Sequence, residues 1–230
     1  LFRDDALNAR TVSEERGGID KQDYRRYQFG GSLGGPVARD RAHFFAAYER
    51  TQQDTRQLVT TLGLLPAEEG IFDVPLRQDL FTGKLTLTPA PAHYVTFRYG
   101  SDRNSQPSNV TSRTARSAWA TSHNTFDSAN VNHNWVIGGA QLNELVGQYS
   151  RFLNDVPANT TGATFIFPNG VFGGTNLGAP QKTEQTKWQI RDTYSWTLSG
   201  FGLHHQLRTG VNWVHEPRLY AFAGQGSQGI

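Results

Sequence analysis

Three sets of residues invite a chemical reading. Gly30-Gly31-Ser32-Leu33-Gly34-Gly35 has the glycine density of a phosphate-cradling loop. It lacks the Lys-Ser/Thr pair of such loops and does not lead from a strand into a helix. Glycine inside a β-strand, where backbones approach closely or bend, is the preferred reading. His204-His205 and His215-Glu216 suggest a metal. Adjacent residues in a strand point to opposite faces, so neither pair chelates from one side. The 7 histidines are scattered without an HExxH spacing, and there is no cysteine. Asp127, His133 and a serine could be assembled into a hydrolytic set. No Gly-x-Ser-x-Gly elbow accompanies them, and the carboxylate pairs Asp4-Asp5 and Glu68-Glu69 fall in loop-like sequence. The expectation is a protein with no catalytic step, no bound metal and no cofactor.

The elements that carry these residues have a period of two. In residues 80–88, Phe81, Gly83, Leu85 and Leu87 oppose Thr82, Lys84, Thr86 and Thr88. Val95, Phe97 and Tyr99 oppose Tyr94, Thr96 and Arg98. Residues 124–137 set Ala129, Val131, His133, Trp135 and Ile137 against Asn130, Asn132 and Asn134. Residues 187–198 set Trp188, Ile190, Tyr194, Trp196 and Leu198 against Gln189, Arg191, Thr193, Ser195 and Thr197. Leu207, Val211 and Trp213 continue the pattern, as do Tyr27, Phe29, Leu33 and Val37 nearer the start. One face of the sheet is apolar throughout.

The connections alternate in length. Short turns are expected at 38–41, 89–92, 138–140 and 199–202, and long polar loops at 54–78, 103–123 and 154–186. Compact soluble domains seldom hold loops of twenty residues or more. Outer-membrane barrels combine short periplasmic turns with long external loops. The expected fold is all-β: an antiparallel up-and-down meander of about eight strands, plus the tail of a ninth before Asp4. It would be an open segment of a larger transmembrane barrel in the bacterial outer membrane. Tyr27, Tyr48, Tyr99, Trp135, Trp196 and Trp213 stand where interfacial aromatic girdles belong.

Composition alone favours a loop-rich soluble β-protein, so the patterning and the connection lengths carry the membrane reading. A net charge of +2 and the absence of a basic run give no footprint for nucleic acid. The hydrophobic fraction of 37% is low for a soluble core of 230 residues, while glycine (24) is plentiful. No apolar run approaches the roughly 20 residues of a transmembrane helix. The chain opens on Leu1 without a charged-then-apolar leader and contains no methionine, which suggests a slice of a longer reading frame.

The residues also resemble a family. The stretch Phe2 to Arg10, the run Gln28 to Val37 and the segment Phe44 to Thr51 are similar to the early barrel of Oar-like TonB-dependent receptors. Phe81-Thr82-Gly83-Lys84-Leu85, Gln189 to Trp196 and the loop from Phe165 to Thr183 resemble further parts of that family. The resemblance implies a barrel of about 22 strands around a plug domain. It also implies energy delivered by a TonB–ExbB–ExbD complex to an N-terminal box. Residues 1–230 would then be part of the barrel wall, without plug or box. About 22 strands of some ten residues need roughly 220 residues in strands alone. The partners implied are outer-membrane lipid, the plug, the TonB complex and a bulky solute of unspecified class.

Two groups are the site candidates. Lys84, Arg98, Asn130, Asn132, Asn134, Gln189 and Arg191 would face the lumen, against plug or permeant. Phe165, Phe167 and Phe172 would offer aromatic surface to a ligand in an external loop. The competing reading is a secreted soluble β-sandwich that binds carbohydrate through its aromatics. It requires a second sheet over the apolar face and Greek-key crossovers, whereas a barrel segment keeps every strand beside its sequence neighbours.

Overall fold

Each long period-two segment becomes a strand, and each strand pairs with the next. The computed structural model describes residues 1–4, 6, 9–10, 12–18, 20–200 and 202–224. Its strands are β1 (Phe2–Asp4), β2 (Tyr24–Ala38), β3 (Ala42–Val59), β4 (Gly70–Ala90), β5 (His93–Ser108), β6 (Ala120–Ile137), β7 (Gln141–Val156), β8 (Thr164–Ile166), β9 (Phe172–Gly174), β10 (Gln181–Gly200) and β11 (Leu203–Ala223). A helix α1 (Val12–Gly17) lies between β1 and β2. Nine strands form one antiparallel sheet in the order β1-β2-β3-β4-β5-β6-β7-β10-β11, and β8 and β9 make a separate hairpin. The order contains no crossover, so the sandwich reading fails: among the described residues no second sheet covers the apolar face. The expected turn at 199–202 joins β10 to β11, with residue 201 outside the described residues. Residues 5, 7 and 8 of the first family-like stretch also lie outside them, as does the terminal 225–230.

The register fixes the faces. Leu85 lies directly opposite Phe44 and Phe97, and Phe97 opposite Val131. Val131 opposes Gly147, which opposes Ile190, which opposes Trp213. Period-two alternation carries Phe81, Leu87, Val95, Tyr149, Trp188 and Val211 onto this same face. They are open to the surroundings even in the middle of the sheet: Val131 is 42% exposed and Ile190 49%. All six girdle aromatics named above fall on this face.

The upper limit of the apolar band is marked by ions on that face. Arg50 pairs with Asp79 at 3.1 Å, Arg103 with Asp127 at 3.2 Å and Arg151 with Glu184 at 3.2 Å. The Tyr48 hydroxyl donates to Asp79, and the Tyr99 hydroxyl donates to Asp127 at 2.6 Å. These rings lie in the apolar band while their hydroxyls reach the charged row above, as interfacial tyrosines do. From Arg103 to His93, Asp127 to Ile137 and Arg151 to Gln141 is about ten residues, the length a tilted barrel strand needs to cross the hydrocarbon.

The strands are longer than that. β4 and β11 have 21 residues each and β10 has 20. Both ends of each of the three stretches expected to be loops are therefore strand: residues 60–69, 109–119 and 157–180 connect strands at that end. The reason is physical. Beyond the bilayer both faces of a strand are wet, so alternation disappears from the sequence while the hydrogen-bond ladder continues.

The buried core also lies beyond the bilayer. Val59, Ala115, Ala118, Trp119, Ala120, Val156, Val171 and Ala179 are the buried apolar residues among those described. All belong to the three connections or to the strand ends beside them.

Candidate functional site

The face opposite the apolar one is polar and in register. Phe45, Lys84, Arg98, Asn130, Gln148, Gln189 and Val214 form one continuous row across β3, β4, β5, β6, β7, β10 and β11. Lys84, Arg98, Asn130, Asn132 and Asn134 line a common depression of about 390 Å³ with Phe45, Thr82 and Thr96. Gln189 and Arg191 share the face but stand two strands away. Gln189 donates to Asn212 Oδ1 at 2.8 Å, and Arg191 lies opposite Val146.

Two features make this wall chemically incomplete. Lys84 and Arg98 are direct cross-strand partners, an arrangement of like charges that costs stability. No described carboxylate forms an ion pair with either. Asn132 Oδ1 and Asn134 Oδ1 are shielded from solvent and accept no hydrogen bond. A buried acceptor without a donor is costly, and the unpaired cations suit the wall to a partner that supplies negative charge.

Above the wall, the three connections form a roof. Glu69 Oε1 organises the first, accepting from the backbone N–H of Thr61 at 2.7 Å, the Thr61 hydroxyl at 2.8 Å and the N–H of Gly63 at 2.9 Å. Donation from Gly63 and from the Thr61 hydroxyl holds this carboxyl below its ordinary pKa. Glu68 Oε2 accepts from Ser117 N–H at 2.7 Å, tying the first connection to the second. The second and third are joined by Ala115 N–H to Phe172 O at 2.7 Å and Phe172 N–H to Arg113 O at 3.1 Å. Trp119 packs edge-on against Phe72, donates its indole N–H to Thr114 O at 3.1 Å and lies beneath the Arg116 guanidinium.

The three candidate phenylalanines separate. Phe172 is half-buried and lines a chamber of about 560 Å³ between roof and wall. Phe165, opposite Gly173 in the β8–β9 hairpin, is 49% exposed. Phe167 closes the hairpin turn, its N–H donating to Val171 O at 2.9 Å. Sequence reasoning missed the amides that floor this chamber. Asn154 Nδ2 donates to Asn124 Oδ1 at 2.8 Å, Asn124 Nδ2 donates to Asn104 Oδ1 at 2.9 Å, and Gln181 Nε2 reaches Asn154 Oδ1 at 3.5 Å. Three of these amides fall in stretches read as loops. The even spacing of Asn104 from Arg98 and of Asn124 from Asn130 on the same strands was the available signal.

The residues of the other chemical readings are spread through the sheet. Gly30 opposes Glu49 and Gly35 opposes Phe44 inside β2, with no helix following. Asp127 is held by Tyr99 and Arg103, while the His133 ring stacks on His93 at 5.3 Å between centroids. Among the described residues no three His, Asp or Glu side chains converge on a metal position. One carboxylate breaks the apolar face: Asp192 lies opposite Leu145 and Val211 and accepts from Asn143 Nδ2 at 2.6 Å.

A neighbour-only antiparallel sheet, apolar and open on one face and polar on the other, is the wall of an outer-membrane β-barrel, and the chain resides in that membrane. Residues 1–75 match the model of a family described as an outer membrane beta barrel domain. The crystal structure of the outer membrane transporter YddB from Escherichia coli superposes on 94% of this chain with a TM-score of 0.70 at 12% identity. The chain spans 30% of the length of that transporter. No curated protein matches it.

Proposed function

We propose that this chain forms part of the barrel wall of a TonB-dependent transporter that moves a bulky solute across the outer membrane. The carrying observation is the polar wall itself. Among the described residues, Lys84 and Arg98 face each other without a counter-ion, and Asn132 Oδ1 and Asn134 Oδ1 accept no hydrogen bond. A plug domain inside the lumen supplies the missing partners, with carboxylates against the cations. The wall performs no chemical step and needs no cofactor. Lipid covers the apolar face, and the TonB–ExbB–ExbD complex acts on the transporter through its plug.

The test is the structure of the full-length protein in detergent. The expected result has further strands paired to β11 and a globular domain packed on Lys84, Arg98 and Asn132. A barrel that closes β11 directly onto β1 around an empty lumen overturns the proposal. A TonB fragment that fails to cross-link to the full-length protein in membranes overturns its energised part.

A further inference from the structure

The chamber between roof and wall is lined by neutral groups. Ser108, Ser122, Asn154, Asn176 and Gln181 supply hydroxyls and amides, Phe172 an aromatic ring, and no lining residue is charged. This sets it apart from the cationic depression around Lys84 and Arg98 lower on the same face. A charged ligand entering such a chamber loses hydration without meeting a counter-ion. A wholly apolar ligand leaves the amides unpaired, which is also costly.

The amides are fixed in orientation. The Asn154 amide donates both its hydrogens, to Ser122 Oγ at 2.9 Å and to Asn124 Oδ1 at 2.8 Å. The Asn176 amide donates to Ala118 O at 2.7 Å and accepts from Gly178 N–H at 2.7 Å. Because the Ser122 hydroxyl accepts from Asn154, its own hydrogen remains to donate. The long 3.5 Å contact from Gln181 leaves Asn154 Oδ1 able to accept, and the Gln181 carbonyl is a second acceptor. Prearranged neutral donors and acceptors beside a half-buried aromatic ring complement one chemistry: vicinal hydroxyls on a ring with an apolar C–H face. The volume of about 560 Å³ lies within the range of small-ligand sites.

We propose that this chamber binds a segment of a neutral oligosaccharide, a substrate class that rests on the transporter reading above. Ring hydroxyls bond to Asn154, Ser122 and Gln181, and one sugar face lies on Phe172.

The experiment is calorimetric titration of the full-length protein in an amine-oxide detergent, which carries no sugar headgroup. The probes are neutral gluco-, xylo-, manno- and galacto-hexasaccharides, with hexagalacturonate and a neutral hexapeptide beside them. At least one neutral hexasaccharide is expected to bind saturably. Asn154→Leu and Phe172→Ala are each expected to weaken it at least tenfold, with heat-modifiable gel mobility confirming a folded barrel. Arg39→Ala, in the tight turn between β2 and β3 at the other end of the sheet, is expected to leave the affinity within twofold. Absence of binding by every neutral hexasaccharide, tighter binding of hexagalacturonate or the peptide, or indifference to both substitutions overturns the proposal. Uptake of the bound sugar by cells, with and without proton-motive force, is read separately. Binding without energised uptake leaves the site standing and sinks the transport reading.

Discussion

At the scale of single residues, Glu69 shows how one carboxylate folds a loop. It is solvent-accessible, yet three donors within residues 61–63 converge on one of its oxygens. Its pKa is depressed chiefly by the Gly63 N–H and the Thr61 hydroxyl. A depressed folded-state value contributes stability that is complete above the unfolded carboxyl pKa, roughly 4.3, and is lost as pH falls through the lower folded value. Hydrogen exchange of the Thr61 and Gly63 amides, expressed as protection factors, is expected to show protection at pH 6 that collapses near pH 3. Glu69→Gln is expected to give weak protection at both. Equal protection of the native protein at the two pH values would show that the charge is not what holds the loop. Neither Glu68 nor Glu69 was legible as a loop organiser, because a pair of adjacent glutamates in polar sequence gives no sign of which amides will point at it.

At the scale of elements, the membrane-spanning part of each strand was legible and the rest was not. Period-two contrast needs an apolar solvent on one side, so it located the trunk around Leu85, Phe97, Val131 and Ile190, and it located the four tight turns. It stopped where lipid stops, which is why β4 extends back to Gly70 through sequence that reads as loop. The seven lumen candidates share one face by register, while the chamber at its upper end went unseen. The glycines of β2 illustrate the same division. A side chain at the inward Gly34 would lie 2.9 Å from Phe44 O and 3.3 Å from Phe45 Cδ2, whereas the outward Gly35 opens onto free space. Gly34→Val is expected to destabilise the full-length protein by about 1–3 kcal/mol through overpacking. Gly35→Val is expected to change stability by less than about 0.5 kcal/mol, as exposed positions usually do. Urea unfolding in lipid vesicles measures both. Equal costs would mean that close approach of β3 is not what β2 requires.

At the scale of the whole molecule, the sheet inverts the usual arrangement of a soluble protein. Its buried apolar residues lie in the roof, and large apolar side chains of the sheet stand in the open: Trp188 is 49% exposed and Leu33 62%. Contiguous apolar surface of this extent marks contact with lipid or protein. Among the described residues β1 and β11 do not pair with each other, so a 21-residue edge at β11 presents unsatisfied backbone groups. A barrel removes such edges by closing, whereas an open sheet in water pairs them with other copies. Residues 1–230 alone are therefore expected to aggregate in aqueous buffer and to disperse only in detergent, with β-rich circular dichroism but without the heat-modifiable gel mobility of a closed barrel. Sedimentation velocity decides the matter. A stable monomer without detergent would require the outward row from Phe44 to Trp213 to be covered, and an apolar face covered by protein is incompatible with a lipid-facing wall.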